Sequence, residues 1–258
     1  MLYGIKDCAN ITLFDKATGD PKLYSDYANV STNEWSSERV YANAKGTRSI
    51  AWDHDRQGTL AIEMEVFDLQ WIAIAAGSEI KKGETSVAKR EVIHVGADKK
   101  AKLSGSPIAD SVAIIPVGAD DIEHVGDPLV KVVVDGTNVT EVGSGQFAQT
   151  GNEITFSTDA VEGTAYAAYY LVLDSDAKVI RISADKFPKT YRVVADVLIR
   201  EKETGKDEFA QIEYPNARPQ SNFTITMSAT EPTNLSVTFD LFPNKDKDIA
   251  VYKIIGDE

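Results

Sequence analysis

Apolar and polar residues alternate through the last third of the chain, residues 186–255. In residues 191–200 the odd positions are apolar and the even positions are mixed, which is the period of a half-buried β-strand. A Glu-Thr-Gly-Lys turn at residues 203–206 follows, and extended chain resumes at residues 209–214. This part of the chain is therefore expected to form four or five strands joined by turns.

Two prolines interrupt this series. Pro215 and Pro219 are expected to bracket a corner that does not belong to a central strand, because proline cannot donate to a β-ladder. Beyond them, residues 222–228 and 235–241 alternate between apolar residues and Thr or Ser. A sheet that covers a core on one side only is predicted from this pattern.

The first third of the chain is also predicted to be mainly extended. Strands are expected at residues 11–14, 23–27 and 59–66, with a turn at residues 18–21. Residues 31–50 are polar with scattered aromatic residues, and they indicate either a long loop or an irregular hairpin. Long loops in compact domains commonly bind partners.

One short helix stands out. Asp68 is a suitable N-cap, residues 69–76 form the helix, and Gly77 ends it. Trp71 lies among apolar residues on nearly every side, so the helix is expected to be largely buried.

The middle of the chain is strand-rich and acidic. After a basic connection from residue 81 to 102, with a strand-like run at residues 91–95, four apolar runs follow; they are residues 110–117, 128–134, 153–156 and 165–173. Residues 105–180 contain twelve acids and two bases, which is −10 of the net charge of −13. Strands at this spacing are typical of a sandwich or barrel rather than of βαβ units.

Composition limits the class of protein. With 258 residues, 43% hydrophobic and 26% charged, the chain is an ordinary folded protein with no apolar run of membrane-spanning length. The start has no features of a signal peptide, and the single cysteine, Cys8, indicates a reducing compartment. The acidity argues against nucleic acid as a bound ligand but not against nucleic acid in transit.

No cluster of residues has the spacing of a catalytic or metal site. His54, His94 and His124 have no partner at metal-ligand spacing, and His54 is expected in a solvated or salt-bridged loop. Residues 120–124, Asp-Asp-Ile-Glu-His, are expected to form a solvated acidic turn, and residues 143–145 a plain turn. No catalytic residue, metal or cofactor is therefore predicted.

The aromatic residues favour assembly over catalysis. Trp35 and Trp52 lie in polar sequence, so they are expected to be covered by something beyond their own domain. Trp71 is expected in the core or at an interface.

Several short motifs resemble the tail tube proteins of bacteriophages, the major tail proteins of long-tailed phages. The motifs are the opening at residues 4–13, the Asp-Gly-Thr turn at 135–137, Gly-Asn-Glu-Ile-Thr-Phe at 151–156, the Tyr-rich run at 165–170, Phe-Pro-Lys-Thr-Tyr-Arg-Val at 187–193, the turn at 203–206, and Ala-Arg-Pro-Gln-Ser-Asn-Phe-Thr at 217–224. Residues 33–56 match the family least well.

The resemblance implies a mainly β protein: an antiparallel β-sandwich or barrel of tail-tube type with one packed helix. It implies a structural virion protein without enzymatic activity, forming rings, generally of six subunits, that stack into a tube. Partners would be other copies of the chain, the tape measure protein, the sheath, baseplate and terminator proteins, and genomic DNA passing an electronegative lumen. The protein would be made in the host cytoplasm and would reside in the virion tail.

On this reading residues 1–104 and 181–258 form the tube core, and residues 105–180 are an acidic insertion. Ring-stacking contacts are expected from four residues, namely Trp35, Arg39, Tyr41 and Arg48. The alternative function is a virion decoration protein or a β-sandwich that binds a receptor or carbohydrate. A carbohydrate-acting enzyme is disfavoured because no paired-carboxylate site is found.

Overall fold

The computed structural model describes residues 2–132 and 141–255. The chain forms two compact units, Met1–Lys81 with Val179–Glu258, and Lys82–Lys178. The predicted turn at residues 135–137 and the end of the predicted run at 128–134 lie outside the described residues. The predicted fold class is confirmed: the described residues are mainly antiparallel β with a single short helix.

The first unit contains a nine-stranded sheet and the helix. Its strands are β1 Tyr3–Asp15, β2 Pro21–Ser25, β3 Val30–Ala44, β4 Thr47–Met64, β14 Tyr191–Glu201, β15 Asp207–Pro219, β16 Thr224–Thr226, β17 Asn234–Leu241 and β18 Val251–Ile255. They are arranged in the order β2-β1-β14-β15-β17-β4-β3, with β16 beside β17 and β18 beside β15.

The second unit contains shorter strands in separate sheets. Its strands are β6 Thr85–His94, β7 Lys100–Lys102, β8 Ala113–Pro116, β9 Val130–Lys131, β10 Gln146–Thr150, β11 Glu153–Phe156 and β12 Ala165–Asp174. One sheet has the order β7-β11-β10-β9 and the other β6-β12-β8. The short strands β5 Lys81–Lys82 and β13 Lys178–Val179 pair where the chain passes from one unit to the other.

One face of the nine-stranded sheet carries the core of the first unit. Leu235, Val237 and Phe239 of β17 are buried, while the Ser and Thr residues between them are partly exposed. The predicted one-sided sheet is therefore correct. Helix α1, Leu69–Ala75, packs into the same core, with Trp71 edge-on to Phe239 at a centroid distance of 6.3 Å.

The helix ends as the sequence predicts. The Asp68 side chain accepts a hydrogen bond from the backbone N–H of Gln70, which caps the first turn. Gly77 adopts a φ of +63°, and a Cβ there would lie 2.3 Å from the Phe187 backbone. Only glycine meets both conditions at this position.

The expected corner at Pro215 and Pro219 is wrong. Both prolines belong to β15, which pairs along its length with β14. The pairing on its other side changes partner, from β18 at Phe209–Glu213 to β17 at Ala217–Pro219. Pro215 lies between those segments, at a bulge in the register with β14, where a proline breaks no ladder hydrogen bond.

Two other expectations need correction. Residues 31–50 are not a loop: they belong to the paired strands β3 and β4, so the hairpin alternative holds. The strand predicted at residues 91–95 is β6, which begins at Thr85 and replaces much of the expected basic connection. Strand β10 was not predicted. Gly143 and Gly145 indicate only the turn that precedes it.

Candidate assembly surfaces

A long β-hairpin extends beyond the core of the first unit. We call its outer part, residues 36–57, the arm. All of these residues are exposed except Ala42, which is half-buried. The tip is a two-residue turn in which Lys45 and Gly46 both have positive φ, as a type I′ hairpin requires. The arm is therefore regular structure without a hydrophobic core of its own.

One face of the arm is polar. Arg39 and Asp53 are opposite each other in the register and form an ion pair, with the second contact, Nη2 to Oδ2, at 3.1 Å. The ion pair lowers the pKa of Asp53 and raises that of Arg39. Beside it the Arg48 guanidinium lies 4.1 Å from the centroid of the Tyr41 ring. These exposed contacts hold the two strands together but add little stability.

The opposite face of the arm is apolar. Val40 pairs with Trp52, and Ala42 pairs with Ile50. The side chains of Val40, Ile50 and Trp52 are about half exposed, at 49, 53 and 52%. Such a contiguous apolar strip on a two-stranded ribbon marks a contact surface.

Trp35 lies at the base of the arm. It pairs with Gly58, and its ring covers that glycine so closely that a Cβ on Gly58 would lie 2.5 Å from the ring. Trp35 still keeps 42% of its surface exposed.

An open groove of about 620 Å³ adjoins Trp35. We call it the base groove; its lining residues are Trp35, Ser36, Ser37, Arg56, Lys247, Asp248, Ile249, Ala250 and Tyr252. Two aromatic rings and two aliphatic side chains line it, so it offers apolar surface, with Arg56 and Lys247 among the polar lining residues.

The four residues expected at ring-stacking contacts all lie on or beside the arm. Arg39, Tyr41 and Arg48 share its polar face, whereas Trp35 lies at the base groove. The apolar strip at Val40 and Ile50 was not predicted, although both residues alternate with polar ones in the sequence. That alternation was the available signal.

Among the described residues, the strip of strands β1-β14-β15-β18 in the first unit has an unpaired edge at each side. Gly4–Lys6 of β1 pair with β14, while β2 covers β1 only from Ile11 onward. At the other side of the strip β1-β14-β15-β18, strand β18 pairs with β15 and with no other strand among the described residues. Both edges carry exposed apolar side chains: Ile5 on one, and Tyr252, Ile254 and Ile255 on the other. Open edges of this kind are templates for further strands.

The face of this strip opposite the core is mixed: it carries the exposed Phe209 and Ile255 together with several ion pairs. Glu213 contacts Arg192 at 3.2 Å and Lys253 at 2.6 Å. Arg200 pairs with Asp207, and Gln211 donates to Asp196 at 3.0 Å. These pairs neutralise the three cations locally.

The histidines take part in small polar contacts. His54 Nδ1 lies 3.2 Å from Asp55 and 4.0 Å from Glu38, a group of exposed side chains on the arm. His54 thus lies beside two carboxylates, on a strand rather than in the expected loop. His124 contacts the hydroxyl of Tyr169 at 2.9 Å, and His94 ends β6.

The remaining candidate residues have local structural roles. Asp120 accepts hydrogen bonds from the backbone N–H groups of Ile122 and Glu123, so residues 120–124 form the predicted acidic turn.

Within the described residues no helix is long and apolar enough to cross a membrane.

Comparison with known proteins identifies the family. The model of the YomU/Tube protein family matches residues 3–255, nearly the whole chain. No curated protein sequence gives a significant match.

Proposed function

This chain belongs to the YomU/Tube protein family, as a phage tail tube protein of the virion tail, and we propose that it forms closed rings, of six copies, that stack into a tube and conduct the genome during ejection. The observation that carries the proposal is the strip β1-β14-β15-β18, which is open at both sides. Ring formation gives each open edge a partner.

The strip provides the geometry for ring closure. Neighbouring strands in it are antiparallel, so β1 and β18 run in opposite directions. In a cyclic ring the β18 edge of one copy then meets the β1 edge of the next in antiparallel pairing. The open segments, Gly4–Lys6 and Val251–Ile255, are offset along the strands, as strands in a closed barrel are.

The face opposite the core would line the lumen. The core face is covered by helix α1 and the strands around it, which leaves the face with Arg192, Arg200 and Lys253 free. Each of these cations contacts a carboxylate, which reduces the positive potential that this face offers to phosphates. Binding of DNA requires such cations, and a lumen without them lets DNA pass.

The arm would join one ring to the next. Trp35, Arg39, Tyr41 and Arg48 are the proposed stacking contacts. The ion pair of Arg39 with Asp53 and the stacking of Arg48 on Tyr41 stiffen the arm, which reduces the entropy lost on docking.

The acidic segment at residues 105–180 would be an insertion into a core formed by residues 1–104 and 181–258. The partners of the assembled tube would be the tape measure protein and, at its ends and surface, the terminator, baseplate and sheath proteins. In this role the protein catalyses no reaction and needs no cofactor.

Negative-stain electron microscopy of the purified full-length protein, concentrated stepwise, tests the proposal. Rings of uniform diameter at low concentration and tubes at high concentration are expected. Protein that stays monomeric at every concentration, even when seeded with tail assemblies, would overturn it.

A further inference from the structure

The apolar strip of the arm, formed by Val40, Ile50 and Trp52, and the base groove beside Trp35 are made of different residues of the same chain. We infer that the strip of one copy docks into the base groove of a second copy in the adjacent ring. This inference rests on the proposed function and names the two surfaces that join the rings.

The strip is built for contact with a protein surface. Val40, Ile50 and Trp52 lie on one face of a regular ribbon and are each about half exposed. A two-stranded ribbon cannot bury such a face by itself, because it has no second layer. The opposite face, with Arg39, Asp53, Tyr41 and Arg48, is satisfied by its own pairs and has less to gain from a partner.

The base groove presents matching chemistry. Trp35 and Tyr252 are exposed aromatic residues at its margin, and Ile249 and Ala250 supply aliphatic surface. Trp35 is fixed in place by its close contact with Gly58. A preformed aromatic surface accepts an apolar side chain such as Trp52 at low entropic cost.

Charge favours this region as the place where copies meet. The whole chain carries −13, so copies repel one another at long range. The arm, residues 36–57, contains three acids and four bases and carries +1. The arm can therefore approach a second, acidic copy without added repulsion.

The contact is compatible with a continuous stack when all rings have the same polarity along the tube. Each strip then binds a groove of the next ring in a head-to-tail, heterologous interface, since each copy still has one free strip and one free groove. Such an interface does not close on two copies and instead propagates along an axis. Rings joined in this way form a tube of indefinite length.

Substitution of the strip is the first test. The variant Val40→Thr, Ile50→Thr, Trp52→Thr removes apolar surface. Threonine is β-branched and therefore suits a strand at all three positions. Rings without tubes are expected in electron micrographs. The matched control, Ile122→Thr with Val130→Thr and Val161→Thr, replaces three exposed apolar residues of the second unit, outside the arm and the base groove, and is expected to form tubes.

Cross-linking is the second test, and it does not depend on the stability of the triple variant. In a Cys8→Ala background, Ala42→Cys on the strip and Ser36→Cys in the groove are joined by a short bis-maleimide. A ladder of dimers, trimers and longer products is expected on a denaturing gel. Val161→Cys with Ser36→Cys, in which the first cysteine lies on the exposed surface of the second unit, is expected to give at most a faint ladder.

The outcomes are distinct. Tubes of normal length from the Val40, Ile50 and Trp52 variant, or equal ladders from Ala42→Cys and Val161→Cys, would overturn the inference and leave the ring proposal intact. Wild-type protein that forms neither rings nor tubes would overturn the proposed function, and the inference with it.

Discussion

The ring of Trp35 lies directly over Gly58, its partner on the adjacent strand, so close that a Cβ there would be 2.5 Å from the ring. Gly58 is the first buried residue of β4 after its exposed part, residues 47–57. The pair therefore marks the boundary between the core of the first unit and the arm.

Gly58→Ala is expected to destabilise the protein by about 1–3 kcal/mol, because the added methyl group collides with Trp35 and the hairpin has to shift. Urea unfolding followed by circular dichroism measures the change. Gly4→Ala is the control, since a Cβ at Gly4 meets nothing within 4 Å. Equal midpoints for the two variants would show that the contact is not tight.

Tyr214→Phe is expected to cost about 1–2 kcal/mol. The Tyr214 hydroxyl is buried and donates to the side-chain oxygen of Asn33 at 2.7 Å, and the substitution leaves that oxygen without its donor. Burial also raises the pKa of Tyr214. Tyr24→Phe, at an exposed tyrosine, should leave the unfolding free energy within about 0.5 kcal/mol of the wild type.

Stability should fall in acid through Glu213. The pKa of its carboxyl is lowered, mainly by the hydrogen bond from Lys253 and also by Arg192. A lowered folded-state pKa stabilises the protein above the unfolded value, about 4.3, and this contribution is lost as the pH falls through the folded pKa. Glu213→Gln should therefore be less stable than the wild type at pH 7, with the difference shrinking toward pH 3. A constant difference across thermal melts from pH 7 to pH 3 would contradict this assignment.

Ile5→Asp should block ring formation without unfolding the chain. Ile5 is 66% exposed on the open edge of β1, so the added charge costs little in the monomer but opposes burial at the proposed junction. Light scattering coupled to size-exclusion chromatography is expected to give monomers at concentrations where the wild type forms rings. Ile182→Asp, at an isoleucine with 69% exposure, is the matched control and should form rings.

Replacement of residues 83–177 by a short Gly-Ser linker should leave a chain that folds and assembles. Strands β5 and β13 pair at the junction, so Lys82 and Lys178 are close enough for a few residues to join them. Rings and tubes in micrographs of the deletion variant would show that the acidic middle segment is an insertion that begins near residue 83, earlier than the proposed boundary at residue 105. Insoluble protein with no tubes would argue that this segment belongs to the core.

The periodicity of the sequence predicted the core strands well. Leu235, Val237 and Phe239 face the core on one side of the sheet. Side chains of a strand alternate between its two faces, so an apolar residue is needed at every second position. The helix was predicted equally well. Its two ends are fixed by local features, namely the N-cap hydrogen bond of Asp68 and the positive φ of Gly77. These signals are local, so a single sequence contains them.

The misjudged parts depend on distant residues. Pro215 is compatible with β15 because the strand changes partner at that point, from β18 to β17, and no local pattern encodes that change. The apolar strip of the arm was hidden because Val40 and Ile50 come from two strands that meet only in the hairpin. Its contact surface appears once the register is known.

The strip β1-β14-β15-β18 has an even number of strands, and this has a consequence for ring size. An even count gives the two open edges opposite polarity in every copy. Antiparallel pairing at each junction then holds for five, six or seven copies alike, whereas an odd count would force a parallel junction in every ring. Strand polarity therefore places no restriction on the symmetry of the tube, and the curvature of the sheet determines how many copies close it.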